Sequence, residues 1–388
     1  MALPLSYNVR NLRVRWQVTL LAVMGIALVV AALAVLMAMS EGFAVALRST
    51  GRKDNAIIVQ RGSASELTSG VPLEQRNLII VDERVARDPD GQPLMSPEWV
   101  IVLSLPKRDG QPTNVTMRAI TRKGIEVRGG IRMVAGRGFT PGLDEVIVGG
   151  KLLDRLQGVA VGSSVKYQRK EFKVVGVFAS QGGAFESEIW GDFDIFGQEF
   201  QRGSGSNAVV VRMKDPAQIP ALDRWIRAQP QMQLQAVEER KYYEDQAGPL
   251  ARALRSLAFF VALVMGIGAV FGAMNTMYAI VAQRTREIGT LRALGFKRRA
   301  ILLAFVIESV CLALVGGAIG CALAFPMNGF STGTGQTQSF SEIAFAFRIT
   351  PEIVTTGMVL AALLGLVGGL LPALRASRLP ITTALREA

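Results

Sequence analysis

The chain of 388 residues contains no histidine and only two cysteines, Cys311 and Cys321. Without histidine, the commonest general base and metal ligand is gone. The serines of RGSASELTSG (61–70) therefore lack the usual partner that activates a nucleophile. The two cysteines lie ten residues apart in one apolar run, too far to pair along a helix. Residues 41–255 have none, so no disulfide framework supports them. There is no GxxxxGK[ST] phosphate loop; the single Gly-Lys pair, Gly150-Lys151, is followed by Leu152. Charge is also scarce, at 19% against 50% hydrophobic residues, which is low for a soluble protein.

What fills the space is apolar sequence. Four runs, Trp16–Ser40, Ser256–Gln283, Ala300–Asn328 and Ile353–Leu374, each exceed the roughly 20 residues needed to cross a bilayer. Only the third carries a charge, Glu308. A spanning segment must satisfy its own backbone, so helices are expected. The first run has arginines before it and Ala44-Val45-Ala46 behind it, as a signal peptide would, but it is about twice the usual apolar length. The expected fold class is a polytopic α-helical membrane protein with four transmembrane helices and a large α+β extracytoplasmic domain between helices 1 and 2.

The net charge of +12 then reports topology. Arg10, Arg13, Arg15, the six basic residues of 284–299, Arg375, Arg378 and Arg386 face only Glu287 and Glu387, whereas 41–255 is nearly balanced. By the positive-inside rule, both termini (1–15 and 375–388) and the 284–299 connection are cytoplasmic. Residues 41–255 and 329–352 lie outside, in a multi-pass protein of the cytoplasmic (inner) membrane. Basic residues at membrane borders argue against nucleic-acid binding and for lipid contact.

Within 41–255, short β-branched runs predict strands at 56–60, 78–81, 100–105, 114–120, 145–148, 165–168, 172–178 and 208–213, with helices at 151–157 and 217–229. A middle lobe around 110–180 and a second lobe formed by the flanks are expected. Residues 41–50 and 238–255 run directly into apolar stretches and read as stalk helices, the second kinked or broken at Gly248-Pro249. The loop 329–340, GFSTGTGQTQSF, reads as flexible, with substrate contact open to it.

The connection RTREIGTLRALGFKRRAI (284–301) is short yet patterned. Ile288, Leu291 and Leu294 recur every three residues, Thr285 can cap the start, Glu287 suits the helix dipole and Gly295 suits C′. Such a helix can lie on lipid or dock a cytoplasmic partner, and the residues alone favour neither. GxxxG pairs at Gly268/Gly272, Gly316/Gly320 and Gly365/Gly369 suggest helix packing. Glu308 is either a structural anchor paired with a nearby arginine or a coupling residue.

The order of segments resembles the MacB/LolC-LolE/FtsX-type (type VII) ABC transporter permeases. FGAMNTMYAIVAQRTREIGTLRALG (271–295) and ILLAFVIES (301–309) carry the resemblance, with Gly136-Arg137, Glu145–Gly149 and FKVVGVF (172–178) in the outer segment. The resemblance implies that 284–299 holds a coupling helix, with Glu287, Ile288, Gly289, Leu291, Arg292, Leu294 and Gly295 at the groove of an ATPase. With about fifteen residues before the first run, that ATPase is expected as a separate cytoplasmic subunit dimer binding ATP and Mg, leaving this chain non-enzymatic and without a cofactor. It further implies pairing with a second permease copy, identical or paralogous. The expected activity is mechanotransmission from that ATPase to the outer domain, for efflux of a hydrophobic or lipid-like substrate with a periplasmic membrane-fusion adaptor. Lipoprotein release of the LolC/LolE kind and FtsX-like signalling to a cell-wall hydrolase are the alternatives.

Overall fold

The computed structural model describes residues 16–167, 170–200, 203–335 and 341–380. The arginines before residue 16, Arg386 and Glu387, the strand end at Gln168 and loop residues 336–340 lie outside the described residues. Two units form: one of residues 42–251 with 331–346, the other of the chain up to 41, 252–330 and 347 onward.

The first unit is α+β. Strands β1 (Asn55–Gln60), β2 (Met95–Pro106), β3 (Pro112–Ile120), β4 (Arg132–Gly136), β5 (Glu145–Gly149), β6 (Ser164–Tyr167), β7 (Lys170–Ala179), β8 (Glu188–Asp192), β9 (Ala208–Arg212) and β10 (Leu234–Glu238) form one sheet. Its order is β10-β1-β9-β2-β3-β8-β5-β7-β4, with β6 on β7. The twelve-residue β2 changes partner along its length. Residues 95–98 pair with β9, and 98–106 pair with β3, so Glu98 stands opposite both Ala208 and Ile120. Apolar side chains accordingly gather in separate cores, two of them large. One gathers Leu103, Met117, Val148, Phe172, Ile189 and Phe196; the other gathers Ile58, Val85, Val209, Val211, Leu222 and Ile226.

The family-like motifs of the outer segment assemble in one patch of this sheet. Gly136 has φ +69°, and a Cβ there would collide with the Val175 backbone, so glycine is required. Next to it, Arg137 NH1 donates to Glu145 Oε2 at 2.7 Å and NH2 to Oε1 at 2.5 Å, and Thr140 N–H adds a bond at 2.9 Å. The guanidinium outweighs the cost of burial and holds the Glu145 carboxyl down at about 2.

Several local readings change. Residues 78–81, expected as a strand, end the helix α2 (Leu73–Ile80), which Pro72 opens and Glu74, Gln75 and Arg76 favour. The expected helix at 151–157 is a single 3₁₀ turn at Gly150–Leu152 followed by turns. Short helices α3 (Arg122–Arg128) and α4 (Phe193–Glu199) and strands β4, β8 and β10 escape the sequence reading, while α5 (Ile219–Ala228) is an amphipathic helix burying Leu222 and Ile226. Residues expected in a flexible outer loop form strands β11 (Ser331–Gly335) and β12 (Glu342–Ala346), an antiparallel pair. β12 is fixed to the rest of the unit: Glu342 binds Lys107 at 3.0 Å and also Arg155 and Thr113, and Ala344 N–H donates to Ser187 Oγ at 2.9 Å. Phe345 meets Phe43 edge to face at 5.6 Å.

Among the described residues, four helices are long and apolar enough to cross a membrane: α1 (Trp16–Arg48), α6 (Glu239–Gln283), α8 (Arg298–Ala324) and α9 (Pro351–Arg378). Between α6 and α8 lies the short α7 (Thr285–Ala293). Both α1 and α6 extend past their apolar runs. α6 continues through Gly248-Pro249 without ending, so the proline removes one hydrogen bond there but does not break the helix. In the second unit, Val29, Leu33, Ala262, Ala313, Ala361 and Leu364 form a shared apolar core.

Candidate functional site

The stretch 284–301 is built around a corner. α6 ends at Gln283 and α7 begins at Thr285, so Arg284 makes the turn alone. Its Nε donates to Glu287 at 3.0 Å, its NH1 donates to Glu308 on α8 at 3.0 Å, and its guanidinium lies 5.1 Å from the Phe305 ring centre. Glu308 is 6% exposed. A carboxylate in an apolar helix is tolerable when paired, and Arg284 pairs it. The sequence points to Thr285 as the cap; in the structure Arg284 takes that position, and its side chain, which only donates, caps none of the helix N–H groups. Thr285 Oγ1 instead donates to the Ala282 carbonyl at 2.8 Å, because the last turn of α6 is within reach.

The other end of α7 closes by a Schellman motif. Gly295 has φ +90°, and the N–H groups of Gly295 and Phe296 donate to the Arg292 and Leu291 carbonyls, each at 3.1 Å. Between corner and closure, the seven residues singled out for coupling do not share one outward face. Ile288 is 2% exposed and packs with Met277, Val281, Ile301, Phe305 and Ala373; Gly289 is also buried. Leu291 and Arg292 are half-buried, and Arg292 NH1 donates to the Ser377 carbonyl at 3.2 Å. Glu287 and Gly295 are exposed, and Leu294 is 73% exposed. Three-residue spacing explains the spread. Each step of three advances about 300°, so Ile288 and Leu294 differ by about 120° around the axis. The inner side mounts α7 on its own bundle, and the outer side is left with Arg286, Glu287, Thr290 and Leu294.

The glycine pairs also divide. A Cβ on Gly316 would stand 2.8 Å from the Val23 carbonyl oxygen, and one on Gly320 2.5 Å from that of Ala27, so α8 packs directly on α1. Gly365 and Gly369 pack on Ala313 and Ser309 of α8, and Ser309 Oγ donates to the Gly365 carbonyl at 2.7 Å. A Cβ on Gly268 or Gly272 of α6 would meet nothing within 4 Å.

A second constellation is missed by the sequence reading. Arg118 on β3 is 1% exposed and uses its full fork. Nε and NH2 donate to Glu188 at 2.8 and 2.9 Å, NH1 and NH2 to Glu66 at 2.6 and 3.1 Å, and NH1 to Glu98 at 2.8 Å. Arg128, also 1% exposed, donates from Nε to Glu98 at 3.0 Å and from NH1 to Glu239 and to Tyr243 Oη, the latter at 3.3 Å. Glu239 further accepts from Asn55 at 2.7 Å, and Trp190 Nε1 donates to Glu188 at 2.6 Å. Burial opposes the charge on Glu98, but the two guanidiniums overcome it and hold its carboxyl below the usual range. Part of the signal was present: Arg118 lies inside the run NVTMRAI, a charge where a strand should be apolar, whereas Glu98 lies two residues before the run expected at 100–105.

Comparison with known proteins addresses both parts of the chain. Residues 19–229 match the MacB-like periplasmic core domain, more than half of the chain, and residues 259–381 match the FtsX-like permease C-terminal domain. The chain belongs to the MacB/FtsX-type ABC permease family. Among curated relatives of this permease, the macrolide export ATP-binding/permease protein MacB of Brucella abortus (strain 2308) is 26% identical over 242 residues, covering 59% of this chain and 35% of that protein. The uncharacterized ABC transporter permease YknZ of Bacillus subtilis (strain 168) is 39% identical over 132 residues, covering 34% of this chain and 30% of that one. The permease thus spans about a third of the length of these relatives. Among solved structures, the periplasmic region of MacB from Actinobacillus actinomycetemcomitans aligns at 12% identity and TM-score 0.37, covering 52% of this chain and 96% of that one. The extracellular domain of YknZ from Gram-positive bacteria aligns at 17% identity and TM-score 0.36, covering 47% and 99%.

Proposed function

We propose that this permease transmits ATP-driven motion from a cytoplasmic ABC ATPase to its α+β domain outside the inner membrane, with its termini inside. The observation that carries this reading is the mounting of α7. Its buried side, Ile288 with the Arg284–Glu308 and Arg292–Ser377 bonds, fixes the helix to the apolar bundle, while Leu294 stands 73% exposed at its end. A helix held this firmly, ending in an exposed leucine beside Arg286 and Thr290, suits a protein groove better than a lipid surface, which would take an apolar stripe along the helix. ATP and Mg belong to the ATPase partner, and the permease acts by binding and positioning. Export of a hydrophobic or lipid-like substrate with a periplasmic adaptor is the function that the MacB relatives favour, with two permease copies per assembly.

Co-purification with a cytoplasmic ABC ATPase of the same cell tests the proposal. Leu294→Asp should release the ATPase and abolish transport while the permease keeps its melting temperature. Retention of the ATPase with intact transport would overturn the reading. Stimulation of ATP turnover by a periplasmic adaptor supports export, and no stimulation removes the adaptor from the assembly.

A further inference from the structure

We propose that Glu239 and Tyr243, on the first turns of α6, form a clutch that makes the two sides of the outer sheet, β10-β1-β9 (the flank lobe) and β3-β8-β5-β7-β4 (the middle lobe), move with that helix; this rests on the proposed transmission of motion. The connection runs through paired charges. Glu239 binds Arg128 and Asn55, and Tyr243 bridges Arg128 and Glu66, its Oη lying 3.3 Å from each. Arg128 ends α3, whose Val127 packs with Ile57, Val59 and Val210 of the flank lobe. Arg118 and Glu188 belong to β3 and β8 of the middle lobe. Glu98 receives both arginines at the point where β2 changes partner from β9 to β3. One helix end therefore grips both lobes and the residue between them.

The chemistry makes the grip all-or-none. Four carboxylates and two guanidiniums, each at most 8% exposed, are stable only while every bond is made. A displacement of α6 that parted Glu239 from Arg128 would leave bare buried charges, so the shift is passed on to the strands instead. Apolar contacts would slip by fractions of an ångström; an ionic lattice keeps its register or breaks. Beside it lies a cavity of about 40 Å³ lined by Glu66, Arg118, Glu188, Tyr243 and Gln246. That space is enough for a few water molecules.

The test uses full-length permease with its ATPase in proteoliposomes. Cys311 and Cys321 are replaced by alanine, and spin labels are placed at the exposed positions Gln92→Cys in the flank lobe and Gln111→Cys in the middle lobe. ATP should change the distance between the labels. Tyr243→Phe and Glu239→Gln should each cut that change by at least half while the ATPase stays bound and turns over. Glu145→Gln, an ion pair outside the lattice, should leave it intact. An undiminished change in folded Tyr243→Phe protein would overturn the clutch and leave transmission standing. No change in the unsubstituted protein, with ATPase bound and active, would overturn both. Glu239→Gln can fail to fold, and Tyr243→Phe, which loses a single hydroxyl, then decides.

Discussion

The Arg137–Glu145 pair shows how one contact reads out in solution. The folded carboxyl titrates at about 2, below its ordinary 4.5. A depressed folded value means the pair contributes its full stability above about pH 4.5 and loses it as pH falls toward 2. Arg137 is more than half exposed, so solvent screening removes much of what so large a shift would otherwise contribute. Glu145→Gln should lower the melting temperature of the purified permease at pH 7 by a few degrees and flatten its decline between pH 4.5 and 2. Tryptophan fluorescence melts across that range measure both. An unchanged acid limb would show that the pair contributes nothing. Ile288 and Leu294 make the complementary case. Both were legible as apolar, but the sequence could not say which faced inward, because their spacing drifts around the helix and burial depends on where α8 and α9 lie.

At the scale of elements, glycine separates two kinds of helix face. Gly320→Leu forces a side chain into the α1 backbone and should leave no monodisperse, cooperatively melting permease. Gly272→Leu projects into open space and should leave the melting temperature of the single chain unchanged. Size-exclusion profiles and thermal melts in detergent compare the two; equal damage from both would mean that α6 is packed on that side after all. The four apolar helices were readable from length and composition alone. The hairpin β11–β12 was not, because glycine, serine and threonine read as loop, and its order comes from Glu342, Ser187 and Phe43, which are distant in sequence. For the same reason 78–81 misread as a strand: a four-residue window misses the helix formers upstream.

For the whole molecule, the charge pattern makes a prediction about sidedness. In a cysteine-free background, Gln111→Cys should react with an impermeant maleimide in spheroplasts, and Thr290→Cys only after the membrane is opened. The reverse pattern would invert the orientation. The buried charge lattice has no counterpart in that reading, since bulk charge balance shows where a segment lies and not which charges meet. The hairpin carries a different consequence, one of timing. The α+β unit is complete only when residues 331–346 join residues 42–251, yet some eighty residues separate the two pieces in the chain. At a synthesis rate of about 5–20 residues per second, the main body waits several seconds for its last two strands. During that interval Ser187, Lys107, Arg155 and Phe43 lack the partners that Ala344, Glu342 and Phe345 supply, so the domain stays unfinished at that edge until its final segment arrives.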